Sequence, residues 1–536
     1  MKRGVYVTMW HVVAHPYGIG LSALLAFIPL GWLFLSLGVW RWPAHKSCFI
    51  ALLVALAVAI LGWKMPPVLA LEGAANGAVM AIWPIMWVIF AAIFTYNITL
   101  KTGAMEKIKG FMASISNDRR VQVLLIAWGF GGFLEAAAGF GTAVAIPTAI
   151  LISLDFDPFF ASVLCLLANT VPVAFGAVGI PVITLAKIAD VNLMRLTLDA
   201  VIQLTPFVLV LPLALIWVMT RSLSQLKGVI GTAIVAGLSF AIPQLLIGAF
   251  MGPELVAVAG SLCSMIGVAI WAKISPPVKE WHFPGENLAA KKTVEYHTST
   301  GEQLVAWAPY IFLGVFIIGS NHAIFPALAN VLGAIKSSFR IYNGPGGTPM
   351  VLPWILTPGT LIMLGAVLGG LVQGASLSDF TTTVAKTAGQ LQKTTLTVVT
   401  IVAMALVMMY SGMVSAIAVA LAMATGGFYP VIAPIIGAMG TFLTGSDTSS
   451  NVLFGALQKQ TAIQIGADPT WITAANTAGA TAGKMISPQS IAVACSATGQ
   501  TGAEGNIFRT MIVYCIGYTL ILGLWVYFVN ATRLFL

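Results

Sequence analysis

The sequence predicts an all-α polytopic membrane protein with about 12 transmembrane helices plus two re-entrant hairpins, in two inverted repeats. Three observations predict it. Of 536 residues, 59% are hydrophobic and 8% charged, where a soluble domain carries roughly 25% charged residues. Many apolar runs reach the ~20 residues needed to cross ~30 Å of hydrocarbon. Finally, two stretches about three hundred residues apart are versions of one another. The first reads Gly132-Phe133-Leu134-Glu135-Ala-Ala-Ala-Gly-Phe-Gly141-Thr142, then Asp157-Pro158, Ala168-Asn169-Thr170, Gly176 and Pro181. The second reads Thr441-Phe442-Leu443-Thr444-Gly445-Ser446-Asp447-Thr448-Ser449-Ser450-Asn451, then Asp468-Pro469, Ala475-Asn476-Thr477, Gly483 and Pro488. Asn169, Gly176 and Pro181 are spaced as Asn476, Gly483 and Pro488 are. A duplicated pair of polar, Gly/Pro-interrupted segments in a bilayer protein points to a transport site between repeats.

The apolar runs predict spans over residues 18–40, 46–63, 74–99, 158–187, 199–220, 228–250, 253–272, 304–322, 353–373, 395–424, 469–497 and 507–531. The first run is too long for a cleaved signal region and reads as a span. Segments 121–154 and 430–466 are each long enough to enter and return, with a Gly-rich motif near the middle. Both read as re-entrant hairpins, whose irregular backbone needs protein or a water-filled cavity around it. Segments 101–120 and 375–393 are polar or amphipathic and read as interfacial helices. The charged stretch 273–300, with Pro276, Pro277 and Pro284, reads as a cytoplasmic linker between halves. Residues 336–350 read as a flexible external loop; its glycines follow no strand, which argues against nucleotide binding.

These elements divide the chain into scaffold spans with an interfacial helix (1–120), a first transport repeat of hairpin plus broken helix (121–190), and spans of the first half (191–272). The linker (273–303), second-half scaffold spans (304–424), a second transport repeat (430–497) and a last span (507–536) follow. A moving transport domain against a scaffold, an elevator, is the architecture implied by a distant similarity of the two repeats to the ion-transporter superfamily. The net charge is +9. The basic residues sit in short loops rather than on one face, which argues against nucleic acid as a partner. On this map sixteen Lys and Arg fall on one side, among them Arg41, Lys46, Arg119, Arg120, Lys393 and Arg509. Eight fall on the other, among them Lys2, Arg3, Lys187, Arg195 and Lys336. The richer side is expected to be cytoplasmic, so both termini would be periplasmic and the two hairpins would enter from opposite faces.

Glu135 lies among Gly and Ala with no base beside it in sequence. An ionised carboxylate there is costly unless it is paired across the fold or takes a proton, as a coupling group must. The competing reading is a carboxyl that locks the hairpin through backbone amides. Asp447 sits in a run of hydroxyls and amides, Ser446, Thr448, Ser449 and Asn451, suited to a polar solute, or else to a solvated loop. Asn169-Thr170 and Asn476-Thr477 each precede Gly and Pro, where a broken helix frees backbone groups to complete a ligand shell. The alternative is interhelical hydrogen bonding. Lys484 would supply positive charge to an anion or pair with Glu135 or Asp447, with Ser487 and Gln489 as donors; a snorkelling lysine is the other reading. Lys459 reads as reaching water, and Tyr410 and Ser411 as lining residues. The five cysteines are scattered and the six histidines fall in termini and loops. No metal motif and no hydrolase elbow occurs, so neither a metal, a cofactor nor an enzyme is expected.

Residues 131–142 and 168–181, with 444–451 and 475–488, resemble the bacterial L-lactate permease family, which includes glycolate permeases. They are more distantly similar to the ion-transporter superfamily. The resemblance implies proton-coupled uptake of small 2-hydroxymonocarboxylates, namely L-lactate, D-lactate and glycolate, across the bacterial inner membrane, with sodium coupling as the alternative. On this reading Asn169, Thr170, Asn476, Thr477, Lys484, Ser446, Thr448, Ser449 and Gln489 bind substrate, and Glu135 or Asp447 takes the proton. The expected partners are the carboxylate and the lipid bilayer; a homo-oligomer is left open.

Overall fold

The computed structural model describes residues 10–534 apart from 14, 41, 140–141, 278, 284–298, 321–323 and 501–502. The Phe140-Gly141 part of the first motif lies outside the described residues, as do Lys2, Arg3 and Arg41 of the charge map, His297, His322 and most of the expected linker with Pro284.

Four helices open the chain: α1 (Ile19–Leu33), α2 (Ala44–Leu61), α3 (Pro67–Met80) and α4 (Trp87–Lys101). The short amphipathic α5 (Ala104–Ser114) follows. Helix α3 runs into α4 through a π-helical turn, broken where Trp83 leaves helical geometry before Pro84, which has no N–H to give. The first helical hairpin is next. Its first arm joins α6 (Arg119–Val123), a π-helical stretch Leu124–Phe130 and α7 (Gly131–Ala137); its second is α8 (Thr142–Ser153). Then come α9 (Pro158–Ala168), α10 (Gly176–Ala189), α11 (Leu193–Thr220), α12 (Ile230–Phe250) and α13 (Val256–Ile274).

The second half holds α14 (Thr300–Gly319), α15 (Pro326–Gly333), a small β-hairpin and α16 (Pro358–Val372). Helices α17 (Leu377–Ser411) and α18 (Met413–Thr425) precede the second hairpin, α19 (Tyr429–Thr444) and α20 (Asp447–Ile465). Helices α21 (Pro469–Ile486), α22 (Pro488–Thr498) and α23 (Glu504–Thr532) finish the chain.

Twelve helices among the described residues are long and apolar enough to cross a membrane. The number agrees with the sequence expectation, but the membership differs. Arg119–Ala137 and Met413–Thr444 qualify, although the sequence assigned the first and part of the second to hairpins. The expected span 353–373 shrinks to the 15 residues of α16. The expected interfacial segment 375–393 and the span after it are also redrawn. Ser376 caps a single 35-residue helix through a reciprocal pair with Asp379, and α17 runs unbroken until Gly412 turns left-handed. The loop expected to be flexible pairs as strands, Lys336 opposite Pro353 through Phe339 opposite Met350. Its Tyr342 is buried and stacks on Tyr410, centroids 3.8 Å apart.

Each matched Asp-Pro pair starts a helix in the same way. Asp157 accepts from Phe160 N–H at 3.0 Å and Asp468 from Trp471 N–H at 2.8 Å, with proline in the first turn. The helices end differently. Helix α9 stops at Asn169, and the backbone passes through Ala177, Val178 and Gly179 with φ of 43°, 58° and 77° before continuing. A β-branched valine in the left-handed region is strained, and such strain gathers at functional sites. Gly179 has no alternative there, since a Cβ would lie 2.6 Å from the Pro253 carbonyl oxygen. Helix α21 instead runs through Asn476 to Ile486 and breaks only at Ser487-Pro488. The expectation that both Asn-Thr pairs sit at breaks therefore holds for Asn169 and fails for Asn476. The reason is packing: α19 lies so close on α21 that a Cβ at Gly479 would meet Pro434 O at 2.0 Å, and that contact keeps the helix straight.

The base of the first hairpin is clasped. Asp118 caps α6 through Arg120 N–H at 2.8 Å and pairs with the Arg120 guanidinium at 2.6 Å, both side chains buried. Arg120 also donates to the carbonyls of Gln225 and Lys279 at 2.7 and 3.0 Å. Trp281 donates its N–H to Asp118 and accepts from Arg119 N–H. This ties the chain after α13 and the α11–α12 loop to the hairpin.

Candidate substrate cavity between the hairpins

Both hairpins and both interrupted helices contribute to one cavity of about 420 Å³. The first hairpin gives Glu135 and Gly139, and the break after it gives Gly176, Ala177, Ile180 and Pro181. The second hairpin gives its whole tip from Phe442 to Ser449, and the second break gives Lys484, Pro488 and Gln489. Of the eleven site residues expected from sequence, Glu135, Asp447, Ser446, Thr448, Ser449, Lys484 and Gln489 are brought together here. Asn169, Thr170, Asn476 and Thr477 are buried and are not among the residues lining this cavity.

The tip is built for polar contact. Thr444 ends α19, and Gly445 turns left-handed at φ 73°. Glycine suits that positive φ, and a Cβ there would also crowd the Gln489 side chain. Ser446 then caps α20 by accepting from Ser449 N–H at 3.3 Å. The first turn of this 19-residue helix and that of α22, starting at Pro488, line the cavity, and the positive end of a helix dipole is a favourable setting for an anion. Lys484 is buried in the last turn of α21 and donates to the Gly445 carbonyl at 2.9 Å. The sequence offered Glu135 and Asp447 as its partners. No ion pair within 4.0 Å joins it to either among the described residues. Its length carries the ammonium to the tip instead, leaving a buried positive charge beside the cavity.

The two carboxyls differ. Asp447 accepts from Thr477 Oγ1 at 3.0 and 3.2 Å. Glu135 Oε2 has no hydrogen-bond partner, nor has either polar atom of Asn169 beside it. Asn476 is saturated: Gln458 donates to its oxygen at 3.0 Å, and its Nδ2 donates to Asn451 Oδ1 at 2.9 Å. Here the interhelical reading of the sequence, not the site reading, is the observed one.

Sequence reasoning missed the opposite wall. Trp42, His45, Lys393, Thr394 and Thr397 line the cavity from before α2, from α2 and from α17. The sequence reads His45 as a loop residue and Lys393 as the end of an interfacial segment; no local motif marks either. It also missed Asn451, Gln458 and Tyr429 as network members; the polar run Gln458-Lys459-Gln460 in an otherwise apolar arm was the available signal. Lys459 does not simply reach water but donates to the Asp190 carbonyl at 2.7 Å. Tyr410 and Ser411 pack away from the cavity.

The L-lactate permease family model matches residues 22–532. An L-lactate permease of Streptococcus iniae is 41% identical over 453 residues, covering 84% of this chain and 93% of that protein. The glycolate permease GlcA of Escherichia coli is 36% identical over 535 residues, 95% of each chain. An L-lactate permease of Bacillus subtilis is 37% identical over 530 residues, 92% of this chain and 93% of that one. With twelve helices fit to cross a membrane and relatives that are permeases, this is a multi-pass membrane protein. A match along nearly its whole length places the chain in the L-lactate permease family.

Proposed function

We propose that this protein is a secondary active transporter that takes L-lactate, D-lactate or glycolate into the bacterial cell with a proton. The observation that carries the reading is the shared cavity. Both hairpin tips and both helix breaks line it, and it holds a buried lysine without a carboxylate partner beside two buried carboxyls. Lys484, Thr448, Ser449, Gln489 and the N-termini of α20 and α22 bind the carboxylate and hydroxyl. The permease relatives support the substrate class, since their names are lactate and glycolate permeases.

The hairpins are re-entrant and the repeats inverted, so that residues 121–190 and 430–497 move as a transport domain against the remaining spans. His45 and Lys393 line the cavity from the side that the charge bias makes cytoplasmic, which supports an inward-facing conformation in the inner membrane with periplasmic termini. Sodium coupling would draw on the Asn-Thr pairs. Asn476 and Thr477 are already taken up by side-chain partners, which favours the proton. One lactate with one proton is electroneutral, so the membrane potential has little effect on net uptake.

The test is uptake of labelled L-lactate into proteoliposomes with the interior more alkaline than the exterior, with potassium replacing sodium and unlabelled short acids as competitors. Accumulation that follows the pH gradient without sodium is expected. Accumulation that needs sodium at fixed pH, or lack of competition by glycolate and lactate, would overturn the proposal.

A further inference from the structure

We propose that Glu135 carries the co-transported proton, while a one-way relay of buried side chains holds Asp447 as a permanent hydrogen-bond acceptor. This rests on the proton-coupled reading above and divides its labour between the two acids.

The relay starts at Tyr429, whose hydroxyl donates to Gln458 Oε1 at 2.7 Å. Gln458 Nε2 donates to Asn476 Oδ1 at 3.0 Å, and Asn476 Nδ2 donates to Asn451 Oδ1 at 2.9 Å. Asn451 Nδ2 donates to Thr477 Oγ1 at 3.1 Å, and Thr477 donates to Asp447. The direction is fixed at every amide. Each NH₂ also meets a main-chain carbonyl, which can only accept: Ala433 at 2.9 Å, Ser450 at 3.4 Å and Pro181 at 3.1 Å. Each amide oxygen must therefore face the preceding donor. Thr477 has one proton, and its oxygen already receives from Asn451, so that proton goes to Asp447. Gln458, Asn451, Asn476 and Thr477 are wholly buried, so water offers no alternative.

Glu135 meets the opposite arrangement. Its Oε2 and both polar atoms of Asn169 are buried and unpartnered. When the carboxyl is ionised, the Asn169 NH₂ can donate to it. When it is protonated, its O–H can donate to the Asn169 oxygen after the amide turns over. One side chain thus serves both states, which a site that gains and loses a proton each cycle requires. The proton adds to the carboxylate from the outer water and leaves to the inner water, and no other bond changes. The charged groups facing Glu135 are Lys484 and Asp447, with His45 and Lys393 on the far wall of the cavity. Helices α9, α10 and α13, packed on its hairpin, add Cys165, Lys187, Cys263 and Lys273, none hydrogen-bonded to it.

The experiment compares two modes of the full-length protein in proteoliposomes: accumulation driven by a pH gradient, and lactate exchange at equal pH, which needs no net proton movement. Glu135→Gln is expected to lose gradient-driven accumulation by roughly 100-fold and to keep exchange within about threefold. Asp447→Asn, whose amide oxygen can still accept from Thr477, is expected to change gradient-driven accumulation and exchange by the same factor. Gradient-driven accumulation by Glu135→Gln, or its selective loss in Asp447→Asn, would overturn the assignment. A wild-type protein that exchanges lactate but ignores the gradient would instead sink the wider proton reading. Two further variants cover a failure to fold. Gly176→Ala puts a methyl 2.9 Å from Glu135 Oε1 and is expected to lower accumulation more than exchange; equal loss counts against the proposal. Thr477→Val removes the donor to Asp447 and is expected to weaken exchange at acidic pH, with Thr477→Ser restoring the wild-type pH profile. Matching profiles for wild type and Thr477→Val would overturn the role of the relay.

Discussion

Asn169 and Asn476 stand at the same place in two copies of one sequence pattern, yet one is unpartnered and the other saturated. Asn169 ends a helix, faces a carboxyl with an empty oxygen and is followed by three left-handed residues. Asn476 lies within a straight helix and is held by Gln458 and Asn451. The first repeat keeps polar capacity in reserve; the second spends it on its own cohesion. Matched residues therefore need not do matched work. Duplication supplies two similar frames, and packing decides which polar groups stay open to a ligand.

The comparison can be broken most forcefully at the glycines. Gly479→Ala drives a methyl to 2.0 Å from the Pro434 carbonyl oxygen, whereas at Gly132 the nearest atoms lie at 3.5 Å, an ordinary contact. Gly479→Ala should lower stability by at least about 3 kcal/mol and Gly132→Ala by less than about 1 kcal/mol, read as thermal unfolding in detergent. Equal melting temperatures would mean that α21 is not held tightly against α19. Alanine at the paired asparagines comes next. Asn476→Ala strands buried partners and should reduce stability by about 2–3 kcal/mol. Asn169→Ala breaks no hydrogen bond within the protein, so its stability should hold within about 0.5 kcal/mol while uptake falls about tenfold. Loss of stability in Asn169→Ala without loss of uptake would reverse their roles.

Lys484→Met sharpens the account of the second tip. It removes the ammonium from Gly445 and from the cavity, and should weaken lactate binding about tenfold, about 1.4 kcal/mol, by equilibrium binding. Unchanged affinity would leave the anion to the helix N-termini. The smallest effect belongs to Thr170→Val. Its hydroxyl makes only a 3.4 Å bond to Leu166 O, so stability should change by less than about 0.5 kcal/mol. Its counterpart Thr477 is a relay member, and Thr477→Val should exceed that value.

The sequence made visible whatever depends on local signals. The Asp-Pro helix starts and the two hairpin arms follow from residue type and spacing, and the duplicated motif is what brought Glu135, Asp447 and Lys484 under suspicion together. What stayed hidden depends on distance in space. Asn476 looks like Asn169 in sequence because the cause of its difference, the close crossing of α19, lies some forty residues away at Gly437 and Pro434. Lys393 looked like an interfacial charge because the amphipathic stretch before it resembles a surface helix. Only the continuity of α17, capped at Ser376, carries it to the cavity wall. Tyr342 looked exposed because glycines surround it, and the aromatic partner that buries it is Tyr410 on another element.

The clasp at Asp118 and Arg120 sets the two hairpins apart mechanically. Pulling the root of the first hairpin away from the α11–α12 loop and the chain after α13 would strip the buried Asp118–Arg120 pair of its main-chain partners Gln225, Lys279 and Trp281, at about 1–3 kcal/mol for each group left unmet. The second begins after Gly426 and Gly427, where a left-handed turn and open space around both glycines put up no such resistance. The consequence is for local opening: backbone amides over 119–123 should exchange with solvent more slowly than those over 426–429, and equal exchange rates would show that the clasp does not stiffen its hairpin.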